Sequence, residues 1–130
     1  LVPVVVSILQ AVPRSYELNM SQLTWSVAQT NCREINGDLA VILNSNDWLR
    51  LNELTTSKGL TTPAWVGLYN DVNSWCWSLY DVPLKNAPYS NWGGGEPNNG
   101  GGKESCVAMM SYGVWADLDC TFTKAYICYN

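Results

Sequence analysis

The sequence predicts an α+β domain in which two helices precede an antiparallel sheet. Three observations predict it. Two amphipathic stretches with helical spacing lie in the first half, at Leu23–Ile35 and Asp47–Thr55. Short strand-like runs rich in Trp and Val follow them, separated by turn residues. Helices first and strands afterwards is the order of a segregated α+β domain rather than of a parallel βαβ fold. The chain has 130 residues, the size of a single domain. A domain of this length buries roughly two-thirds of the surface its unfolded chain exposes, so it can hold one real core.

At the start, Leu1–Val12 is apolar and β-branched (Val4, Val5, Val6, Ile8). It reads either as an edge strand that contributes to self-association or as the remnant of a signal-peptide apolar region without its basic flank. The expected layout is thus an N-terminal strand or extension over 1–14 and a domain over 15–130. In the first helix Leu23, Val27, Ala28, Cys32 and Ile35 share one general face, which aims Cys32 at a core. Ser21 is the expected cap and Gly37 the expected stop. Gly37–Ile42 reads as a turn and a short strand. Ser45 is the expected cap of the second helix, where Trp48, Leu51 and Leu54 recur every three residues. Thr55–Pro63 reads as a loop. Ala64–Leu68 and Ser74–Leu79 are expected strands. From Tyr80 to Lys103 no apolar period survives, and Gly, Asn and Pro dominate. A structureless stretch of this length inside a compact domain is commonly functional. Cys106–Met110, Val114–Trp115 and Lys124–Tyr129 complete the strands around a turn at Tyr112-Gly113.

Composition excludes several functions. Seven Lys+Arg against eleven Asp+Glu leave a net charge of −4. Nucleic acid and anionic membrane surfaces both need clustered basic residues, which this chain lacks. No stretch is apolar enough over about 20 residues to insert in a bilayer. Histidine is absent, so His-based triads, His-containing zinc sites and imidazole proton shuttles are excluded. The five cysteines, Cys32, Cys76, Cys106, Cys120 and Cys128, form no C-x-x-C pair. Wide spacing in a small acidic chain points to disulfides and to a secreted, extracellular protein. Five is odd, so one thiol is left over. Cys76 sits between Trp75 and Trp77, and strand alternation places it on the opposite face from both. With the tryptophans in the core, Cys76 faces solvent or a neighbouring subunit. It reads as an intermolecular thiol that could join a homo-oligomer, or else as a single thiol or small buried residue.

The densest set of oxygen donors lies between Glu96 and Asp119: Glu96, Asn98, Asn99, Glu104, Asp117 and Asp119. Calcium takes six to eight oxygens from carboxylates, amide carbonyls and backbone. The plain alternative is a solvated acidic loop in which Asn forms turns. Glu96-Pro97-Asn98 favours the cation. An X-Pro bond is the kind that readily adopts cis, which can turn a carboxylate and a carboxamide the same way. The carboxylate only accepts hydrogen bonds, whereas the carboxamide both accepts and donates. Together they can hold a cation and a pair of neighbouring hydroxyls.

Several motifs in order then resemble one family. Trp65-Val66-Gly67-Leu68, Ser90-Asn91-Trp92, Gly95-Glu96-Pro97-Asn98-Asn99 and Trp115-Ala116-Asp117 resemble, from about Ser15 to Asn130, a C-type lectin-like domain of the mannose type. The resemblance implies two helices, two small antiparallel sheets and a long loop that carries a calcium-dependent sugar site. It implies disulfides Cys32–Cys128 and Cys106–Cys120. It implies Glu96, Asn98, Glu104 and Asp117 as ligands of both Ca2+ and sugar. The Glu-Pro-Asn form implies mannose, N-acetylglucosamine, glucose or fucose, and glycans or glycoproteins as partners. One departure stands out: Ala116 occupies the place of an Asn ligand, which removes an oxygen from the cation and weakens the expected site. Asn99 and Ser105 stand where acidic ligands of auxiliary calcium sites would be expected.

In such domains the tryptophans matching Trp65, Trp92 and Trp115 are core residues rather than sugar platforms, and Tyr89 and Tyr112 are expected to be structural. Asn19-Met20-Ser21 is an N-glycosylation sequon. The alternative function is a non-sugar module for protein recognition or self-assembly, favoured by Ala116, Cys76 and Leu1–Val12. An enzyme is the least favoured reading, because a carboxylate pair for glycoside hydrolysis needs a closed cleft.

Overall fold

The computed structural model describes residues 15–71, 74–86, 89–94, 96–97, 104–110 and 113–130, with the backbone alone at 71, 86 and 104. The expected strand at Leu1–Val12 lies outside them, as does Tyr112. Among the described residues the order is β1 (Tyr16–Leu23), α1 (Trp25–Glu34), β2 (Asp38–Leu39), α2 (Ser45–Ser57), β3 (Ala64–Asp71), β4 (Ser74–Trp77), two 3-10 turns (Leu79–Asp81 and Leu84–Asn86), β5 (Glu104–Met109), β6 (Trp115–Asp119) and β7 (Lys124–Tyr129). The α+β class is therefore observed, with two helices and a sheet.

The helix caps differ by position from expectation. Ser21 lies in β1, and Thr24 stands at the N-cap of α1 without a side-chain cap bond. At the other end Asn36 takes the left-handed conformation, with φ 64°. Its N–H reaches Arg33 O and the Gly37 N–H reaches Cys32 O, the two bonds of a Schellman cap. For α2 the cap is Asn44, not Ser45. The Asn44 Oδ1 accepts from the Asp47 N–H at 2.9 Å, and the Asp47 carboxylate accepts from the Leu43 N–H at 2.9 Å. These reciprocal bonds satisfy orphan donors at the helix start.

The strands run β1-β7-β3-β5-β6, with β2 on β7 and β4 on β3. Antiparallel pairs make up both halves, and a short parallel pairing of Ala64–Trp65 with Ala125–Tyr126 joins them. Alternation along β3 divides the core between two faces. Ala64, Val66 and Leu68 enter one cluster with Val41, Ile42, Leu51, Trp77, Trp115 and Ile127. Trp65 enters the other, with Trp25, Ala28, Cys32, Leu39, Ala108 and Tyr126. The Trp25 and Trp65 indoles are fixed by bonds to Val66 O and Leu23 O. A polar clamp ties α1 to the end of β4. Buried Asp38 accepts from Arg33, from the Ser78 hydroxyl and from its neighbour's N–H at Leu39, and Gln29 donates to the Ser78 oxygen.

The two disulfides are Cys32–Cys128 and Cys106–Cys120, as the resemblance implied. Cys76 belongs to neither, but it does not face solvent or a subunit as alternation suggested. It is buried together with Trp77, while Trp75 is half-buried. The error lay in treating the second face of β4 as open. The chain turns back through Pro83, which pairs with Cys76 as an isolated antiparallel bridge.

Candidate functional site

The long segment is stitched onto β6 by backbone bonds. Trp115 N–H donates to Asn91 O at 2.8 Å, and Gly93 N–H donates to Trp115 O at 2.9 Å. Trp92 and Trp115 thus pair in parallel. The Asn91 carboxamide adds a 2.8 Å bond to Gly113 O, at the turn between β5 and β6. A further turn, Glu96 N–H to Gly93 O at 2.9 Å, folds Glu96 back over the strand.

The result is a meeting of two acids far apart in sequence. Glu96 Oε2 accepts from the Asp117 backbone N–H at 3.3 Å. Trp115 and Asp117 are buried and lie two residues apart on β6, on one face by alternation. The Asp117 side chain is only 1% exposed. The Glu96–Pro97 peptide is cis.

Of the expected ligands, Glu96 and Asp117 are brought together. Asn98 lies outside the described residues, as do Asn99 and the side chain of Glu104. The Glu104 backbone pairs with Asp119 at the end of the β5–β6 ladder, two residues along β6 from Asp117. Among the described residues no group of three His, Cys, Asp or Glu gathers at one place. Asp119 is engaged by the next turn, where Thr121 donates to its Oδ1 from both N–H and hydroxyl. Ala116 is half-buried opposite Ala108, and it offers no oxygen.

Beneath the loop the aromatic rings form a floor. Trp115 meets Trp77 at 5.5 Å, Tyr89 at 5.9 Å and Trp92 at 5.7 Å, all near edge-to-face, and Trp92 also meets Trp75 at 5.1 Å. Such pairs contribute about 0.5–1.5 kcal/mol beyond their area. Trp77 and Trp115 are fully buried and hold the loop from below, and Trp65, fully buried in the other cluster, is no platform for a sugar either. Tyr89 belongs to this floor, and burial pushes its phenol pKa up. The sign follows directly. Below about pH 10 the phenol is neutral in both states and stability is unaffected. Above it the unfolded chain ionises first, so stability falls until the folded pKa is passed. Urea unfolding at pH 9 and at about pH 11 should show a steeper loss for the wild type than for Tyr89→Phe.

Sequence reasoning missed one contributor, the contact of Gly113 with Trp48. Gly113 has φ +77°, and a Cβ there would lie 1.4 Å from Trp48 Nε1. The indole of α2 therefore rests against the backbone that receives Asn91. The only sequence signal was the Tyr112-Gly113 turn pair.

Comparison with known proteins agrees with this fold. The model of the lectin C-type domain matches residues 21–130. Collectin-10 of Gallus gallus is 33% identical over 127 residues, covering 96% of this chain and 44% of the relative. The chain spans about half the length of the curated relatives it matches, or less. The cow C-type carbohydrate-recognition domain of CD23, solved in the presence of a GlcNAc2Man3 oligosaccharide, superposes with a TM-score of 0.77 at 27% identity, covering 90% of this chain and 87% of that one. Herring type II antifreeze protein superposes with a TM-score of 0.77 at 26% identity, covering 92% and 91%.

Proposed function

The chain belongs to the C-type lectin domain family, and from that premise we propose that it binds carbohydrate through calcium, with mannose-type sugars (mannose, N-acetylglucosamine, fucose) as ligands. The observation that carries the reading is the reach of the Glu96 carboxylate across 21 residues to the backbone N–H of Asp117, itself a buried residue. The donors fit a hard cation, being carboxylate and carboxamide oxygens. Glu96, Asn98, Glu104 and Asp117 would hold it. Calcium, when bound, supplies a Lewis-acidic centre whose shell a pair of vicinal hydroxyls can complete. Glu96 would accept from one hydroxyl while the Asn98 amide donates to the other.

The same reading places the chain outside the cell, in glycan or glycoprotein recognition. Two disulfides are bonds of an oxidising compartment. Among the described residues no helix is long and apolar enough to cross a membrane. No enzymatic step is assigned. An oligomer through Cys76 is disfavoured by its burial. One through 1–14, apart from the domain at 15–130, is tested by deletion of 1–12: the sizing-column mass should fall while the fold persists.

Ala116 gives the decisive experiment. Replacing it with Asn restores one oxygen and one amide donor. Ala116→Asn should tighten calcium by about tenfold, which corresponds to roughly 1.4 kcal/mol. Sugar affinity should rise with it, because two ligands that share a site are thermodynamically linked. Glu96→Gln with Asn98→Asp should shift preference toward galactose by exchanging donor and acceptor. Calorimetry reads both affinities, and a chelator should elute the wild type from a mannose column. Should neither wild type nor Ala116→Asn take calcium at millimolar levels, the second reading holds. In it the domain is a non-sugar recognition or self-assembly module, for which the missing Ala116 oxygen and the likeness to an antifreeze protein are the support.

A further inference from the structure

We infer that Asn19 carries an N-linked glycan whose first N-acetylglucosamine packs into a groove between β1 and α1. The sequon Asn19-Met20-Ser21 lies on the edge strand β1, and all three residues are exposed. The register explains the exposure. Asn19 pairs with Tyr126 and Leu23 with Lys124. Three residues of β1 (Met20, Ser21, Gln22) therefore face one of β7 (Ala125), and the sequon bulges out of the ladder. Within the bulge the Asn19 Oδ1 accepts from the Ser21 N–H at 2.9 Å, closing an Asx turn. The amide oxygen is thereby polarised, and the side-chain nitrogen is the reacting end.

The modification is a group transfer. A polyprenyl-pyrophosphate-linked oligosaccharide supplies the sugar. Its anomeric C–O bond breaks, the Asn19 Nδ2 forms the new bond to that carbon and loses a proton, and the lipid pyrophosphate leaves. The donor belongs to the secretory compartment in which the two disulfides would also close.

Strand alternation decides where the sugar lands. Leu18 points into the core, so Glu17 and Asn19 share the opposite face, beside Tyr126 and Cys128 of β7. Helix α1 flanks that face with Asn31 and Glu34, and Ile35 follows at its C-cap. Between them lies a groove of about 330 Å³. Its chemistry suits a neutral, hydroxyl-rich ring. Glu17 and Glu34 accept from hydroxyls, Asn31 can donate, and Ile35, at 48% exposure, offers an apolar surface for the acetamide methyl. A sugar seated there also covers an open sheet edge, the position most exposed to unwanted strand pairing.

The test expresses the full chain through a eukaryotic secretory route and maps its peptides after release by peptide N-glycosidase in heavy-oxygen water. Asn19 should be recovered as labelled Asp, and both Asn19→Gln and Ser21→Ala should abolish the label. An unmodified Asn19 in protein that has formed both disulfides overturns the proposal. The packing is read separately. Release from the native protein should be at least fivefold slower than from the denatured chain, and Ile35→Ser with Glu34→Ala should remove most of that protection. Equal rates in the native and denatured states overturn the groove as the sugar's seat.

Discussion

Gly113→Ala should lower the unfolding free energy by about 2–5 kcal/mol and the Tm by roughly 10 °C or more. Two costs combine. The left-handed backbone, φ +77°, costs an L-residue about 1–2 kcal/mol. The new methyl would also stand 1.4 Å from Trp48 Nε1 and 2.5 Å from Cε2, so the indole must move. Trp48 packs against the main core cluster, and forcing such a ring aside costs about 1–3 kcal/mol. Gly59 separates the two costs. Its φ is +70°, yet nothing lies within 4 Å of the added Cβ. Gly59→Ala should show the backbone cost alone. A second control shrinks the ring: Trp48→Leu with Gly113→Ala should lose less than the sum of the single changes, as coupled neighbours do. Urea unfolding of the four variants measures all of this. Equal losses at Gly59 and Gly113 would show that the clash is absorbed. Because Gly113 O receives the Asn91 carboxamide, the same substitution should also weaken calcium binding if the long segment carries it.

Most of the fold was legible because its burial follows simple periods. β7 lies within the run expected for it, Lys124–Tyr129, since five of its six residues are buried and turn residues bound it. The strand β1 was missed for the opposite reason. Only Leu18 of its eight residues is buried, so an edge strand with polar neighbours leaves no alternation to read. The caps were each misplaced by the same ambiguity, because Ser, Thr and Asn cap nearly alike and several stand side by side. For Cys76 alternation says which face a residue takes but not whether that face is covered, and of its readings the small buried residue is the one observed. The site was legible only in part. No local pattern brings Glu96 to Asp117. The contact depends on the Trp92–Trp115 bridge, a long-range pairing that nothing in the sequence named; the resemblance implied only that Glu96 and Asp117 belong to one ligand set.

Removing the two disulfides should have unequal effects, the larger on stability and the smaller on the site's own end of the sheet. Cys32–Cys128 closes a separation of 96 residues and Cys106–Cys120 one of 14. In the chain-entropy model these constrain the unfolded state by about 4.7 and about 3 kcal/mol. Burial widens the gap a little, since Cys106 is buried in the same cluster as the other pair and only Cys120 is half-buried. Cys32 is fully buried, and its partner Cys128 nearly so, in the cluster that holds Trp25, Trp65 and Tyr126. A serine pair there would bring two hydroxyls into an apolar setting. Cys120 is half-buried and sits just past Asp119, at the end of β6. The bond to Cys106 fastens that end of the ladder three residues beyond Asp117. Cys32→Ser with Cys128→Ser should therefore leave the chain at the edge of folding, because small domains have only about 5–15 kcal/mol in all. Cys106→Ser with Cys120→Ser should still fold, with a lower urea midpoint, and should loosen calcium binding more than its stability loss alone would. Urea midpoints and calorimetric calcium titrations of the two double variants decide it. If the short-loop pair proves the more destabilising, native packing around β5 and β6, rather than the freedom restored to the unfolded chain, sets the contribution of these bonds.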